Sequence, residues 1–324
     1  MKSSKVWITD YIKNPDIEKR ILGDFLSAES HDDIEIVLVW HEIIDDHFFD
    51  KFPRLRAVIR YGVGYDNIDL TVANERHIYV CNTPDYGTEE VADTALAMMG
   101  TLTRGILYYQ ELAKSLPRDW QENTIGSLRR SSELKLGIIG AGRIGSSVIL
   151  RANAMNYKSC FYDPYKESGY EKVLGAQRVD SIDALLKLAD IVSIHCPLTE
   201  ETRHMVTTDF VNKMKSGSYL INTARGKIVQ DLDVLYAPLQ DNKLAGVALD
   251  VLPNEPPNND SLLIRAWQNN ENWLCGRFII NPHTAYFSRQ SFSEMREKAA
   301  KNALRVLQDQ KPVNVVSECS TLAI

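Results

Sequence analysis

The sequence lacks what a cross-linked or metal-stapled protein needs. Its five cysteines (Cys81, Cys160, Cys196, Cys275 and Cys319) are odd in number, far apart and without a C-x-x-C pair. Such spacing offers neither a disulfide framework nor a zinc-ligand set, so no metal is expected and the cytoplasm is the expected compartment. Positive charge is also in short supply, with Lys+Arg 37 against Asp+Glu 43 and a net charge of −6. Without a basic cluster, neither duplex nucleic acid nor an anionic membrane is expected as a partner. No segment approaches the roughly 18 apolar residues of a membrane span, and no long apolar run follows the charged opening of residues 1–10. Repeats and low-complexity tracts are missing too. What is present is an ordinary globular composition, 44% hydrophobic and 25% charged over 324 residues. At roughly 150 residues per domain, that length predicts about two domains.

The first hundred residues alternate short apolar runs, read as strands at 5–9, 34–40, 57–61 and 78–81, with helical patterns at 17–26 and 70–74. Thr88-Glu-Glu-Val then opens a largely buried helix expected to run to 114, followed by an irregular connector over 115–132. From Glu133 the pattern changes. Apolar strands are expected at 136–139, 159–162, 191–195, 219–222, 246–248 and 278–280, with helices at 144–154, 181–188 and 208–215 among them. Continuous apolar strands separated by helices predict a parallel sheet covered on both faces. The last helix, 289–308, has no strand after it and is expected to pack back on the first domain.

Leu136-Gly-Ile-Ile-Gly140-Ala-Gly142-Arg-Ile-Gly145 reads as strand, G-x-G-x-x-G turn and helix. Gly140 permits the tight turn, Gly142 lets backbone approach a pyrophosphate, and Gly145 brings helix against strand. The helix start at Arg143 and Ile144 then offers N–H groups and partial positive charge to phosphates. Asp163 ends the next strand, roughly 20 residues beyond the loop, where a carboxylate accepts hydrogen bonds from ribose hydroxyls and repels a 2′-phosphate. NAD is therefore the expected cofactor.

Hydride chemistry on an alcohol or carbonyl needs a group for the substrate's charge, a group to polarise the carbonyl and an acid–base. In a doubly wound sheet these belong after the carboxyl ends of strands. Arg225, Glu255 and His283 each follow an expected strand there. His31, His41, His47, His77 and His204 do not, and are read as structural or surface residues.

Seven segments stand out in order: Gly62-Val-Gly-Tyr-Asp-Asn-Ile-Asp69, Asn82-Thr-Pro with Val91-Ala-Asp93, the glycine loop, His195-Cys-Pro-Leu-Thr199, Asn222-Thr-Ala-Arg-Gly226, Ala248-Leu-Asp-Val251 with Glu255-Pro256, and Pro282-His-Thr-Ala285. Together, over nearly the whole chain, they resemble the D-isomer-specific 2-hydroxyacid dehydrogenases. The resemblance implies an α/β fold of two Rossmann-like domains with doubly wound parallel sheets and the active site in the cleft. The NAD-binding domain, 102–287, would be inserted into a discontinuous substrate domain made of 1–101 and 288–324. It also implies roles. Arg225 would bind the substrate carboxylate beside the keto oxygen, His283 would be the acid–base, and Glu255 would hydrogen-bond it. A carboxylate beside an imidazole favours the protonated ring, which keeps a proton available for reduction. Val63 and Gly64 would cradle the substrate carboxylate through backbone N–H groups. Asp250 would orient the nicotinamide carboxamide, and Cys196, Pro197, Thr223 and Val91 would line the cofactor. The catalytic glutamate argues against formate as substrate.

Two features narrow the branch. Phe161-Tyr-Asp-Pro-Tyr165, Leu174-Gly-Ala-Gln-Arg178-Val and Met295-Arg-Glu-Lys-Ala-Ala300 resemble the C-terminal-binding proteins, dehydrogenase-fold corepressors that depend on NAD. His283-Thr-Ala-Tyr286-Phe287 resembles D-lactate dehydrogenases, and Tyr286 would wall the substrate pocket, favouring a compact or flat side chain. Two functions follow: an NAD-dependent enzyme interconverting a 2-oxo acid and a D-2-hydroxy acid, or an NAD(H)-sensing, corepressor-like binding protein. The enzyme is preferred because the chain carries no extra interaction segments and no expected tail. Residues 112–130 fall where the family builds its dimer arm, so a homodimer is implied. The lead-in Arg265-Ala-Trp-Gln-Asn-Asn-Glu-Asn-Trp273-Leu-Cys-Gly-Arg277 departs from the family in length and polarity, and would shape either the cleft or a subunit contact.

Overall fold

A computed structural model describes residues 5–118 and 120–318, and Cys319 and the first four residues of the chain's opening lie outside them. The chain forms two compact units, Met1–Gly87 with Phe287–Ile324 and Thr88–Tyr286. The first begins β1 (Val6–Ile8), α1 (Asp16–Leu22), β2 (Ile36–Val39), α2 (Asp46–Asp50), β3 (Ala57–Arg60), α3 (Leu70–Glu75), β4 (Tyr79–Cys81). Its sheet is parallel in the order β1-β2-β3-β4, and Leu26 bridges Val6 in parallel at the outer side of β1. All four residues of β2 are buried, as expected of a parallel strand covered on both faces. Asp45 and Asp69 cap α2 and α3 by accepting first-turn N–H groups, which places those helix starts at acidic residues.

The second unit contains α4 (Thr88–Thr103), α5 (Ile106–Lys114), β5 (Lys135–Ile139), α6 (Arg143–Ala154), β6 (Lys158–Tyr162), α7 (Tyr170–Leu174), β7 (Gln177–Arg178), α8 (Ile182–Leu188), β8 (Ile191–Ile194), α9 (Thr208–Lys213), β9 (Ser218–Asn222), α10 (Tyr236–Gln240), β10 (Leu244–Leu249), α11 (Leu262–Gln268) and β11 (Phe278–Ile280). Its seven-stranded parallel sheet runs β11-β10-β9-β8-β5-β6-β7. The chain leaves β5 outward through β6 and β7, then returns to lay β8 on the other side of β5. That reversal between β5 and β8 is the switch point where doubly wound sheets bind ligands, beyond the carboxyl ends of the strands.

The helix expected over 88–114 is in fact two. Gly105, in the left-handed region at φ 62, ends α4, and a side chain there would strike Ile125. The two helices differ in burial. Ala95, Leu96, Met98, Met99 and Leu102 of α4 join Leu136, Ile138 and Val148 in one core, whereas α5 has no buried residue. This packing is why α4 belongs with the second unit, and why that unit starts at Thr88 and not at the Leu102 taken from the sequence. The 265–277 segment packs within the same unit. Gly276, at φ 68, lies against the backbone of Tyr108 so closely that a Cβ would be 2.4 Å from its nitrogen. Arg277 donates to the carbonyls of Ala245, Trp273, Leu239 and Leu244, tying the segment to β10.

The last helix, α12 (Arg289–Leu307), returns to the first unit and packs on α1, β2 and β3. Ser288 and Ser291 form its reciprocal cap. Its anchor is a buried ion pair. Arg296 Nε donates to Glu18 Oε1 at 3.0 Å, and Tyr61 Oη donates to the same oxygen at 2.9 Å. Arg296 also donates to the carbonyl of Asn14 and to Asp16 at 2.8 Å each. Among the described residues no helix is long and apolar enough to cross a membrane.

Candidate active site

The switch point carries the glycine loop. Gly140 has φ +90, and a Cβ on it would sit 2.6 Å from the nitrogen of Cys196, so the turn after β8 lies directly against the loop. A Cβ on Gly145 would sit 2.0 Å from the Gly140 carbonyl oxygen, which brings α6 close to β5. Gly142 is the opposite case: a Cβ there would meet nothing within 4 Å. That open side is where a ligand's phosphates need room. The helix start tells the same story. Ser181, Thr207 and Ser261 cap α8, α9 and α11 with their side chains, but Gly142 gives α6 no side-chain cap. The N–H groups at Arg143 and Ile144 thus begin a helix whose positive end suits a pyrophosphate. Asp163 stands beside this loop, its Oδ2 accepting from Ala141 N at 2.9 Å and its Oδ1 from Tyr165 N at 3.0 Å. These residues fit a bound dinucleotide.

The other residues expected to line a cofactor differ in burial. Cys196 is half-buried, Pro197 is exposed, and Thr223 and Val91 are buried. Burial pushes the Cys196 thiol up to about 12, so it is no nucleophile. His195 donates its N–H to Ile139 O, and its ring faces Ser193 Oγ at 2.8 Å and Thr223 Oγ1 at 3.5 Å. Burial drives this ring down to about 3, which leaves it neutral.

The adjacent strands β9, β10 and β11 deliver three further residues at their carboxyl ends. After β9, Asn222 Nδ2 donates to the Arg225 carbonyl at 2.9 Å and Asn222 Oδ1 accepts from Ala224 N at 3.0 Å, fixing the turn that carries Arg225. After β11, His283 adopts φ 55, and its N–H donates to the Asp250 carbonyl at 2.9 Å. Asp250 Oδ1 accepts from Thr284 N at 3.0 Å and Ala285 N at 2.9 Å. The buried Asp250 thus holds the histidine turn against the end of β10, a task the sequence did not reveal. His283 Nδ1 meets Glu255 Oε2 at 2.8 Å, and Glu255 Oε1 accepts from Leu252 N at 2.9 Å. Leu252 also locks the third turn, since a Cβ on Gly226 would sit 1.8 Å from the Leu252 carbonyl oxygen. The turns bearing Arg225, Glu255 and His283 are therefore interlocked. Tyr286, half-buried, closes the unit three residues after His283.

The electrostatics follow from these contacts. Burial alone would raise the Glu255 carboxyl, but the His283 hydrogen bond and charge, the Leu252 N–H and the charge of Arg225 hold it below 4.5. Burial raises Asp250 above 3.8 against the pull of His283 and the two N–H groups. The pair stays accessible, with the His283 and Glu255 side chains 47% and 38% exposed.

In the first unit the 62–64 turn follows β3. Asn82 Nδ2 donates to the Val63 carbonyl at 2.7 Å and Thr83 N donates to the Gly62 carbonyl at 3.1 Å, while Val63 itself is exposed. Sequence reading overlooked the neighbours of this turn. Tyr11 stacks on Trp40 with centroids 4.9 Å apart, and the Arg60 guanidinium lies 5.1 Å from the Trp40 ring. Tyr11, Trp40 and Arg60 follow or end three successive strands, and that placement was the signal available.

A dinucleotide loop at the switch point of one parallel sheet, with an imidazole–carboxylate pair at the ends of its outer strands, defines a nucleotide-dependent oxidoreductase. The family model for the D-isomer specific 2-hydroxyacid dehydrogenase NAD binding domain matches residues 96–285. The chain is 36% identical over 278 residues to the glyoxylate reductase of Korarchaeum cryptofilum (strain OPF8), spanning 85% of this chain and 80% of that protein. It is 33% identical over 305 residues to C-terminal-binding protein 1 of Caenorhabditis elegans, spanning 92% of this chain but 39% of that longer protein. Among solved structures, it resembles the D-lactate dehydrogenase from Aquifex aeolicus complexed with NAD and lactic acid, with a TM-score of 0.83, 30% identity and coverage of 96% and 99% of the two chains. The chain belongs to the D-isomer-specific 2-hydroxyacid dehydrogenase family, and its second unit is an NAD-binding domain of α/β fold.

Proposed function

We propose that the protein interconverts a 2-oxo acid and a D-2-hydroxy acid, with His283 as the acid–base. The observation that carries this reading is the His283 Nδ1–Glu255 Oε2 contact of 2.8 Å, interlocked with the Arg225 turn. When bound, NAD(H) supplies the hydride to the carbonyl carbon or takes it back. His283 uses its other ring nitrogen, Nε2, to give the carbonyl oxygen its proton in reduction and to remove it in oxidation. Glu255 holds the ring by Nδ1 and so orients it. Arg225 binds the substrate carboxylate beside the keto oxygen. Arg143, Ile144 and the three glycines take the pyrophosphate, Asp163 the ribose, and Asp250 the carboxamide, with Cys196, Pro197, Thr223 and Val91 lining the cofactor. Asp163 repels a 2′-phosphate, so NAD is preferred over NADP.

Tyr286 walls the pocket and selects substrates with a compact or flat side chain, such as the glyoxylate and the lactic acid named for the relatives. The apolar residues Ile106, Leu107, Tyr108, Leu116 and Trp120 are exposed, and they support a homodimer through this segment. A cytoplasmic setting suits the free thiols Cys81, Cys160, Cys196 and Cys275. The test is NADH oxidation by the purified protein with glyoxylate, pyruvate, hydroxypyruvate and larger 2-oxo acids, followed by chiral analysis of every product except the achiral glycolate. Turnover to the D-isomer is the expected outcome. Tight NADH binding without any turnover would replace this reading with a corepressor-like NAD(H) sensor, to which the 33% identity with C-terminal-binding protein 1 points.

A further inference from the structure

Tyr165 links two carboxylates. Its N–H donates to Asp163 Oδ1 at 3.0 Å, and its phenol Oη donates to Glu201 Oε2 at 2.8 Å. Asp163 and Tyr165 stand on the loop after β6, whereas Glu201 stands on the loop after β8. The sheet order β8-β5-β6 puts β5 between them. With neighbouring strands about 4.8 Å apart, the contact crosses roughly 10 Å, over the carboxyl end of β5 and hence over the glycine loop.

Both ends of the bridge are held. On one side Asp163 Oδ2 is fixed by Ala141 N of the glycine loop. On the other, Thr202 Oγ1 donates to the Pro197 carbonyl at 2.6 Å and accepts from Thr199 N at 2.8 Å, and Arg203 N donates to the Thr199 carbonyl at 2.8 Å. These bonds set the curl that presents Glu201. The bridge itself adds little to folding, because Tyr165 is 78% exposed and an exposed polar contact between two loops is weak. Its position, and not its contribution to stability, is what needs explaining.

We propose that Tyr165 and Glu201 form a clasp over the adenosine end of the NAD site and set how fast the dinucleotide leaves. This rests on the assignment of the glycine loop and Asp163 to NAD. The phenol and the carboxylate join the loop that bears Asp163 to the loop after β8, so the adenosine half departs only when the Tyr165–Glu201 hydrogen bond opens. Tyr165 is thus a positioning residue that acts on cofactor residence and not on the hydride or proton transfer.

Stopped-flow measurement of NADH release tests it on the full chain. Tyr165→Phe and Glu201→Gln should each speed release about fivefold, the effect of losing one hydrogen bond of modest strength. The double variant should release no faster than either single one, since both remove the same bond. Affinity for reduced nicotinamide mononucleotide, which lacks the adenosine half, should stay unchanged, as should the melting temperature. Unchanged NADH release, multiplying effects in the double variant, or an equal effect on the mononucleotide would each overturn the clasp. A wild-type protein that fails to bind NADH would overturn the cofactor assignment and the clasp with it.

Discussion

Two cation–carboxylate pairs, one in each unit, have similar bond lengths and opposite surroundings. In the first unit, Arg296 and Glu18 are 8% and 0% exposed, and Tyr61 and Asp16 complete their bonding. In the second, His283 and Glu255 meet at 2.8 Å but keep 47% and 38% of their side chains open to solvent. A guanidinium does not lose its proton at any ordinary pH, so the first pair cannot take part in proton transfer and serves to hold α12 on α1. An imidazole, unlike a guanidinium, can both give up and take up a proton, and the exposed second pair is therefore suited to the acid–base role proposed for it. Burial and the choice of cation, not the contact itself, separate a structural pair from a chemical one.

The comparison can be broken most forcefully at the buried pair. Arg296→Met leaves Glu18 as an uncompensated buried charge, which should cost about 3–5 kcal/mol of the first unit's stability in urea titration. NADH affinity, a property of the second unit, should change far less. Adding Glu18→Leu to Arg296→Met should recover a large part of the loss, because no charge then stays unpaired.

At the exposed pair the loss should fall on activity. Glu255→Gln removes a charge-assisted hydrogen bond and should lower kcat about 10- to 100-fold near neutral pH, with little change in melting temperature. Glu255 itself is held below 4.5 in the folded protein. What it adds to stability is therefore full above that value and is lost as pH falls through its lowered pKa.

Smaller effects are expected further from the pair. Asp163→Ala should weaken NADH binding about tenfold and narrow the preference over NADPH, since the carboxylate both binds ribose hydroxyls and repels a 2′-phosphate. Ser288→Ala removes one half of the α12 cap and should cost about 1 kcal/mol of stability with unchanged kinetics.

The strands were readable in the sequence because parallel strands covered on both faces are continuous apolar runs, as at 191–194 and 218–222. The edge strand Gln177–Arg178 was not, being short and polar. The break at Gly105 was hidden because Ile106, Leu107 and Tyr108 prolong the apolar pattern of α4 while facing outward. At the candidate site, the glycine loop, Arg225, Glu255 and His283 stood out through their positions after strands. The residues that lock them did not. Gly226 matters for its approach to the Leu252 carbonyl, and Asp250 for bonds to N–H groups of Thr284 and Ala285, and such contacts arise only once β9, β10 and β11 lie side by side. Glu18 and Arg296 are distant in sequence, and nothing in the spacing of either points to the other.

The most direct test of the account is the rate of 2-oxo acid reduction by His283→Gln, measured with NADH affinity and melting temperature on the same protein. The expected result is a kcat about 10²- to 10⁴-fold below wild type with NADH affinity and melting temperature retained. Full activity in His283→Gln would contradict it.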